Sequence, residues 1–582
     1  MHSGRQSAKL PSMCGVELKS GGASMFDDSK AKVTRWPALV GFALLAGLSS
    51  PVVAQETPVE DPAAAPAEPA AAEEESWGDD GGFEFDAQEA QPVGSSTPAA
   101  RLMDDGLKRF AREDYPAAAT AFWSVLQDPD ISADAVRPRA QFEMGKTLMK
   151  LKMYEGATVF FEEIVNAGPV HPYFEATAPW MMLLSRRVPG DPAMLRRVAS
   201  FGALFPDRID AKYRDEMAFL LGQNAFNQGE LEVAVSYFAL VSPDSAFWAR
   251  SLYYKGITFV RKYDAQPAVD AFKALLALDG QGAAADEGQR LHDMAMLAMA
   301  RTFYSTGEYE KSLRLFEAIP LGSSTWLDAL FESSWAHFQL SQSNRALGNL
   351  HSLNSPFFSA QYYPEAPILQ AVILFENCRY TGVRKTLDLF DDVYAPLLAQ
   401  LEALASERSS DLDFFAFYQD SESKMVVDFD PRLQQITRAA LSDRSVRDAA
   451  AFVHQVEGER AALAKLPSEV VSGPFGQYLA GKLEAEVTLA QTNLGGLVRR
   501  RMERITDELR SKRREAEAIR VEADLSEATL IKQQKASGAV GEVPDVVSET
   551  RPAWYQMAWP FEKEYWRDEL GHYSYHIASK CR

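Results

Sequence analysis

The chain has 582 residues, of which 46% are hydrophobic, and its formal net charge is −21 at pH 7. Such an acidic chain argues against nucleic acid as the main partner, because phosphate binding needs a basic face. Three cysteines are too few for a disulfide-rich scaffold or a zinc ribbon, and no His-Glu-x-x-His or Gly-x-Ser-x-Gly motif is present. We therefore expect no enzyme, no cofactor, no metal site and no small-molecule substrate.

The N-terminal residues predict an export signal. A basic lead with Lys30, Lys32 and Arg35 precedes the apolar run 37–48, and small residues end at Ala54. This order is typical of a secretory signal peptide over residues 1–54, with Met25 as an alternative start, and the run is too short to span a bilayer. A buried helix is the other interpretation.

The next segment, residues 55–100, contains twelve Asp or Glu and no Lys or Arg. Its Ala-, Pro- and Glu-rich composition predicts a disordered acidic linker. The mature chain is therefore expected in the periplasm, without a transmembrane span and with the outer membrane as a candidate site of association.

A triplet of two small residues and one large residue, with spacings of 12 and 4, recurs seven times. Small residues let two antiparallel helices approach closely, and the large side chain fills the gap against the next pair. The triplets are Gly106/Ala118/Phe122, Gly145/Ala157/Phe161, Gly222/Ala234/Phe238, Gly256/Ala268/Phe272, Ala300/Ser312/Phe316, Ser334/Ala346/Leu350 and Ala371/Val383/Leu387.

This pattern resembles the tetratricopeptide repeat, whose period of 34 residues separates Gly222 from Gly256 and Ala300 from Ser334. The resemblance implies an all-α fold, with a tetratricopeptide-repeat solenoid over residues 101–395. The 77-residue step from Gly145 to Gly222 fits two repeats with an insertion, including a degenerate hairpin around 180–204. A loop insertion at 280–288 explains the longer step before Ala300.

Residues 396–535 are expected to form a C-terminal helical region. Within it, 411–431 reads as a connecting segment, and 478–530 as a long coiled-coil-like helix whose apolar seam has a stutter. The seam pairs either with the preceding helix, 445–466, or with a second copy. The basic run 499–514 predicts an ion-paired, solvated surface, with an anionic lipid contact as the alternative. Residues 536–582 form a linker and an aromatic tail that should pack on the helical body.

In tetratricopeptide proteins, fixed positions of the first helix of each repeat face a concave groove. Aromatic and cationic residues at these positions suit an extended peptide with apolar anchors and carboxylates. The alternative is that about half of the aromatics only pack between neighbouring repeats. The residues carried over are Phe142, Lys146, Lys150, Phe219, Phe226, Arg250, Tyr253, Arg261, Arg301, Tyr304, Phe331, Trp335, Phe338 and Phe375.

Only Cys378 and Cys581 remain in the chain after the presumed signal peptide. An oxidising compartment permits a disulfide between them, which would clamp the aromatic tail to the last repeat. The alternative is that Cys378 is simply a small buried residue.

A second resemblance concerns the segment 376–380 (Glu-Asn-Cys-Arg-Tyr), which follows 364–366, together with the tail 559–571 and Cys581. These segments resemble the exported tetratricopeptide proteins of the myxobacterial adventurous gliding motility machinery. The resemblance implies a non-enzymatic scaffold, in a complex with other envelope proteins that links an inner-membrane motor to the outer membrane. The alternative is a periplasmic binding module or assembly factor, serving outer-membrane proteins or the coordination of cell-wall synthesis and division.

Overall fold

The structure is a computed structural model, and it describes residues 97–127, 136–278, 285–358, 361–422, 441, 443–537, 564–575 and 577–581. The predicted signal peptide, nearly all of the acidic linker, and residues 538–563 lie outside the described residues. Within the part that is described, every regular element is helical, which confirms the all-α class. None of these helices is both long enough and apolar enough to cross a membrane.

Seven helix pairs form the repeats, and each pair consists of two antiparallel neighbours. They are α1 (Pro98–Ala111) with α2 (Tyr115–Gln127), α3 (Val136–Lys150) with α4 (Tyr154–Ala167), α7 (Arg214–Gln228) with α8 (Leu231–Phe238), α9 (Trp248–Arg261) with α10 (Ala265–Leu276), α11 (Ala285–Ser305) with α12 (Tyr309–Phe316), α13 (Trp326–Gln339) with α14 (Ser343–Leu353), and α15 (Glu365–Glu376) with α16 (Tyr380–Glu407). Between the second and third pairs, α5 (Phe174–Arg187) and the short α6 (Met194–Ala199) form the degenerate hairpin.

The small first residue of each triplet makes room for the large residue sixteen positions later. A Cβ atom built on Gly145 would lie only 2.6 Å from Cζ and 2.7 Å from Cδ1 of Phe161. The same overlap occurs between Gly256 and Phe272, where the built Cβ lies 2.7 Å from Cδ1. Both phenylalanines are fully buried. The triplets therefore mark the points at which the two helices of a repeat touch.

The turn inside every pair has the same backbone conformation. The residue seven positions after the first small residue has a positive φ, between 52° and 80°, in all seven pairs. L-residues other than glycine rarely adopt this left-handed region, so its recurrence marks a shared turn geometry. It also shows that the two triplets that end in leucine instead of phenylalanine, which begin at Ser334 and Ala371, are in register with the others. The residues are Glu113, Lys152, Gly229, Tyr263, Gly307, Ser341 and Cys378.

The C-terminal region differs from the sequence prediction in two places. The predicted end of the solenoid at residue 395 falls inside α16, which continues without a break to Glu407. The expected connecting segment contains a helix, α17 (Asp411–Glu422), which buries Phe414, Phe415 and Phe417. The described residues after α17 include three further helices: α18 (Arg444–Leu463), α19 (Ser468–Val471) and the 64-residue α20 (Pro474–Ser537).

The seam of α20 packs inside the chain. The helix lies against α16, α17 and α18. The buried residues of the seam are Leu483, Val487, Ala490, Leu494, Val498, Met502, Ile505, Leu509, Ala516 and Ile519. The hairpin interpretation therefore describes this chain better than pairing with a second copy. Near its start, α20 shares an apolar cluster with α2 and α4, and near its end it shares another with α15 and α16. One helix thus contacts both the first two repeats and the last.

Candidate functional site

The first helices of repeats four to seven carry a row of partly accessible aromatic side chains, which we call the first-helix face. Tyr253, Tyr304, Phe331 and Phe338 are each half-buried. The ring of Phe331 lies 5.5 Å from that of Tyr363, which comes just before the next first helix, α15. These four residues are the predicted groove aromatics of the middle repeats that keep part of the ring exposed.

Four of the predicted groove residues are core residues instead. Phe142, Phe219, Phe226 and Trp335 are 8%, 4%, 4% and 3% exposed. Phe142 packs against the ring of Phe161, with a centroid distance of 6.1 Å. The prediction is wrong for these four, because the position rule does not distinguish a ring facing the groove from one that points to the neighbouring helix. Phe375, at the end of the row, is half-buried and packs edge-on against Tyr380.

The predicted cations do not make this face basic. Lys146 Nζ lies 2.9 Å from a carboxylate oxygen of Glu143. The guanidinium of Arg261 stacks over the ring of Phe226 at 4.5 Å and donates to the carbonyl oxygen of the same residue. Both cations are therefore held by neighbours inside the solenoid. Lys150 and Arg250 are half-buried.

Two carboxylates that the sequence analysis missed, Glu332 and Asp328, take part in hydrogen bonds near this face. Arg301 Nε donates to both oxygens of Glu332, at 2.9 and 2.8 Å, which joins two adjacent first helices. Tyr363 donates its hydroxyl to Asp328 Oδ1 at 2.7 Å. Burial raises the pKa of Glu332, although Arg301 opposes this rise. Burial also raises the pKa of Tyr304 to about 12, so its hydroxyl stays protonated. The face therefore offers aromatic rings beside an Arg301–Glu332 ion pair and a Tyr363–Asp328 hydrogen bond.

The basic run of α20 is engaged by acidic residues of the same chain. Arg499 pairs with Asp411 at 2.7 Å, and Arg510 with Glu402 at 2.8 Å. Lys512 pairs with Glu365 of α15 at 3.0 Å. These contacts favour the ion-paired interpretation over an anionic lipid contact.

A cluster of buried carboxylates lies where α18 meets the second repeat. Glu459 accepts hydrogen bonds from the N–H groups of Glu155 and Gly156, at the N-terminus of α4, where a carboxylate offsets the helix dipole. Burial raises the pKa of Glu155 well above its usual value, and Asp191 and Glu486 add to the rise. The described residues contain no group of His, Cys, Asp and Glu that could hold a metal ion.

The two cysteines lie together at the last repeat. Their Cα atoms are 5.1 Å apart and their sulfur atoms are bonded in the structure. Beside them, Lys580 N–H donates to the carbonyl oxygen of Asn377 at 3.0 Å, and Arg379 Nε donates to that of Ala578 at 2.9 Å. The end of the tail is thus held at the turn between α15 and α16.

No family model matches the sequence, and no curated protein matches it either. Among solved structures, a tetratricopeptide repeat protein from Parabacteroides merdae is 10% identical, with a TM-score of 0.24, over 50% of this chain and 92% of that one. The APC/C hetero-tetramer Cut9–Hcn1 is 10% identical, with a TM-score of 0.19, over 73% of this chain and 96% of that one. A circular tandem repeat protein is 12% identical, with a TM-score of 0.10, over 74% of this chain and 91% of that one.

Proposed function

We propose that this chain is a non-catalytic protein-interaction scaffold whose partner binds the first-helix face of the middle repeats. The observation that carries the proposal is the row of half-buried rings at Tyr253, Tyr304, Phe331 and Phe338. Large rings that are partly accessible, on a rigid helical surface, are typical anchors for a protein partner. Because Arg261 and Arg301 are already engaged by Phe226 and Glu332 of the same chain, the partner supplies apolar side chains and hydrogen-bonding groups rather than a string of carboxylates.

We further propose that the protein works in the cell envelope after export, in a complex of the kind that drives gliding motility. The order of residues in 30–54 supports export. Two cysteines at a Cα separation of 5.1 Å suit a disulfide, which persists in oxidising compartments. Cys378 and Cys581, which belong to the segments that resemble the gliding proteins, are bonded to each other.

The test is site-specific photo-crosslinking in the organism from which the chain comes. A photo-reactive phenylalanine analogue replaces Tyr253 or Phe338 on the first-helix face, and in the control it replaces Tyr263. The control residue lies in the turn between α9 and α10 and is 80% exposed. We expect one dominant adduct from positions 253 and 338 and none from position 263. Equal adducts from all three positions would refute the assignment of this face.

The identity of the crosslinked partner distinguishes a scaffold of a gliding complex from an assembly factor in the envelope. A stable stoichiometric partner, such as a motor or outer-membrane component, supports the gliding scaffold. Many transient clients would support an assembly factor instead. N-terminal sequencing of the envelope fraction should begin near Gln55, and an intact leader in a cytoplasmic pool would contradict export.

A further inference from the structure

The C-terminal tail lies along one side of α14, a surface separate from the first-helix face. We call this surface the α14 strip and define it by Asn344, Gly348, His351 and Ser352. These residues are four, three and one positions apart, so they follow one side of the helix over two turns. The tail residues in contact with the strip are Tyr565, Gly571, Tyr573, Tyr575 and Ile577.

The strip binds the tail mainly through backbone N–H groups of the tail. Gly571 N–H donates to Ser352 Oγ at 2.8 Å. Tyr575 N–H donates to the carbonyl oxygen of Asn344 at 3.0 Å, and Ile577 N–H donates to the side-chain oxygen of Asn344 at 2.9 Å. Main-chain recognition of this kind supplies affinity without reading the sequence of the bound segment.

Two residues of the strip, Gly348 and His351, would select which segments can bind. A Cβ atom built on Gly348 would lie 2.6 Å from the carbonyl carbon of Tyr573, so only glycine lets the tail approach this closely. The imidazole of His351 stacks on Tyr565 at 4.8 Å and contacts Tyr573 and Tyr575 at 5.0 and 5.6 Å. An extended segment with two tyrosines separated by one residue fits this arrangement.

The tail is retained by contacts that are not part of the strip. Cys581 is bonded to Cys378 in the next repeat, and Lys580 and Ala578 bond to the same turn. The end of the tail can therefore stay attached while residues 565–575 leave the strip. Within this segment Leu570 is buried, whereas Trp566 and Tyr575 keep much of their surface exposed. Releasing the segment would therefore expose little additional apolar surface.

We propose that the α14 strip is a binding site for an extended protein segment of the type Tyr-x-Tyr, and that the chain's own tail fills this site as an internal ligand. A partner segment of the same chemistry binds by displacing residues 565–577. The backbone contacts tolerate a different sequence, while Gly348 and His351 select for an extended segment with spaced rings. This second binding site lies on α14, the second helix of its repeat, whereas the first-helix face lies on first helices.

The test uses the full chain with a weakened tail, carrying Tyr573→Ala and Tyr575→Ala. The probe is a fluorescein-labelled synthetic peptide with the sequence of residues 564–577, and its binding is followed by fluorescence anisotropy. We expect saturable binding that is at least about ten-fold tighter to the weakened-tail chain than to the wild type, because the intact tail competes at an effective concentration of about 1 mM. A peptide in which both tyrosines are alanine should bind about ten-fold more weakly.

The acceptor is tested by Gly348→Leu in the weakened-tail chain, with Gly458→Leu as the matched control. A side chain at Gly458, also inside a helix, would meet nothing within 4 Å. Gly348→Leu should weaken peptide binding at least about ten-fold while helicity and Tm match those of the control. The proposal is overturned if the peptide binds both glycine variants equally, or if it does not bind the weakened-tail chain. Neither result would bear on the first-helix face.

Discussion

The contact between Gly145 and Phe161 gives the sharpest prediction for the repeat fold. Gly145→Ala places a methyl group 2.6 Å from Cζ of a ring that is fully buried, whereas carbon atoms prefer about 3.5–4.0 Å. The ring must move by about 1 Å, but the rings of Phe142 and Trp180 lie on it. Overpacking of this kind costs about 1–3 kcal/mol, and the gain in helix propensity from glycine to alanine returns about 1 kcal/mol. We therefore expect a net loss of up to about 2 kcal/mol in the free energy of unfolding.

The matched control is Gly481→Ala in α20, where the new methyl group meets nothing within 4 Å. This variant keeps only the propensity gain and should be more stable than the wild type by up to about 1 kcal/mol. Urea unfolding followed by circular dichroism measures both variants under the same conditions. Adding Phe161→Leu to Gly145→Ala should recover part of the loss, because the smaller side chain relieves the overlap. If Gly145→Ala stabilises the chain as much as Gly481→Ala does, the close-approach argument is refuted.

Three other predictions follow from the charged residues and the cysteines. The pKa of Glu155 is raised in the folded state, so the protonated side chain stabilises the fold in acid, and this stabilisation is lost as the pH rises above the usual pKa of a glutamate. Glu155→Gln should therefore raise Tm at pH 8 and change it little at pH 4. Arg301→Met leaves Glu332 without its partner and should cost about 2–4 kcal/mol in urea unfolding, with a smaller loss when Glu332→Met is added. Alkylation without reductant, followed by mass spectrometry, should find Cys378 and Cys581 in one cross-linked pair of peptides, and two alkylated thiols would contradict this.

The repeat architecture could be predicted because its signal is local and recurs. The two helices of a repeat touch at a small residue and at a ring sixteen positions later, so each contact lies within one short stretch of sequence. The weaker triplets, which begin at Ser334 and Ala371, were as informative as the stronger ones, since the turns after them have the same positive φ at Ser341 and Cys378.

The first-helix face could be predicted only in part, because its properties depend on contacts between repeats. The position rule placed Arg301 on the first-helix face, but its partner Glu332 lies 31 residues later on the next first helix. The rule also could not tell Phe219, whose ring points into the core, from Tyr253, whose ring stays half-exposed. Rotation of each first helix about its own axis decides these cases, and packing against the neighbouring repeats sets that rotation.

The contacts of α20 at its two ends have a consequence for binding. Near its start, Tyr478 packs on Trp123 of the first repeat, with a centroid distance of 4.5 Å. Near its end, Arg520 pairs with Asp388 of the last repeat at 2.7 Å. A continuous helix of 64 residues spans about 96 Å and resists bending and stretching, so it fixes the distance between the first and last repeats. A solenoid held in this way cannot change its curvature freely, and the first-helix face is therefore pre-organised. A partner that binds there loses less conformational entropy than one that must bend an open array of repeats.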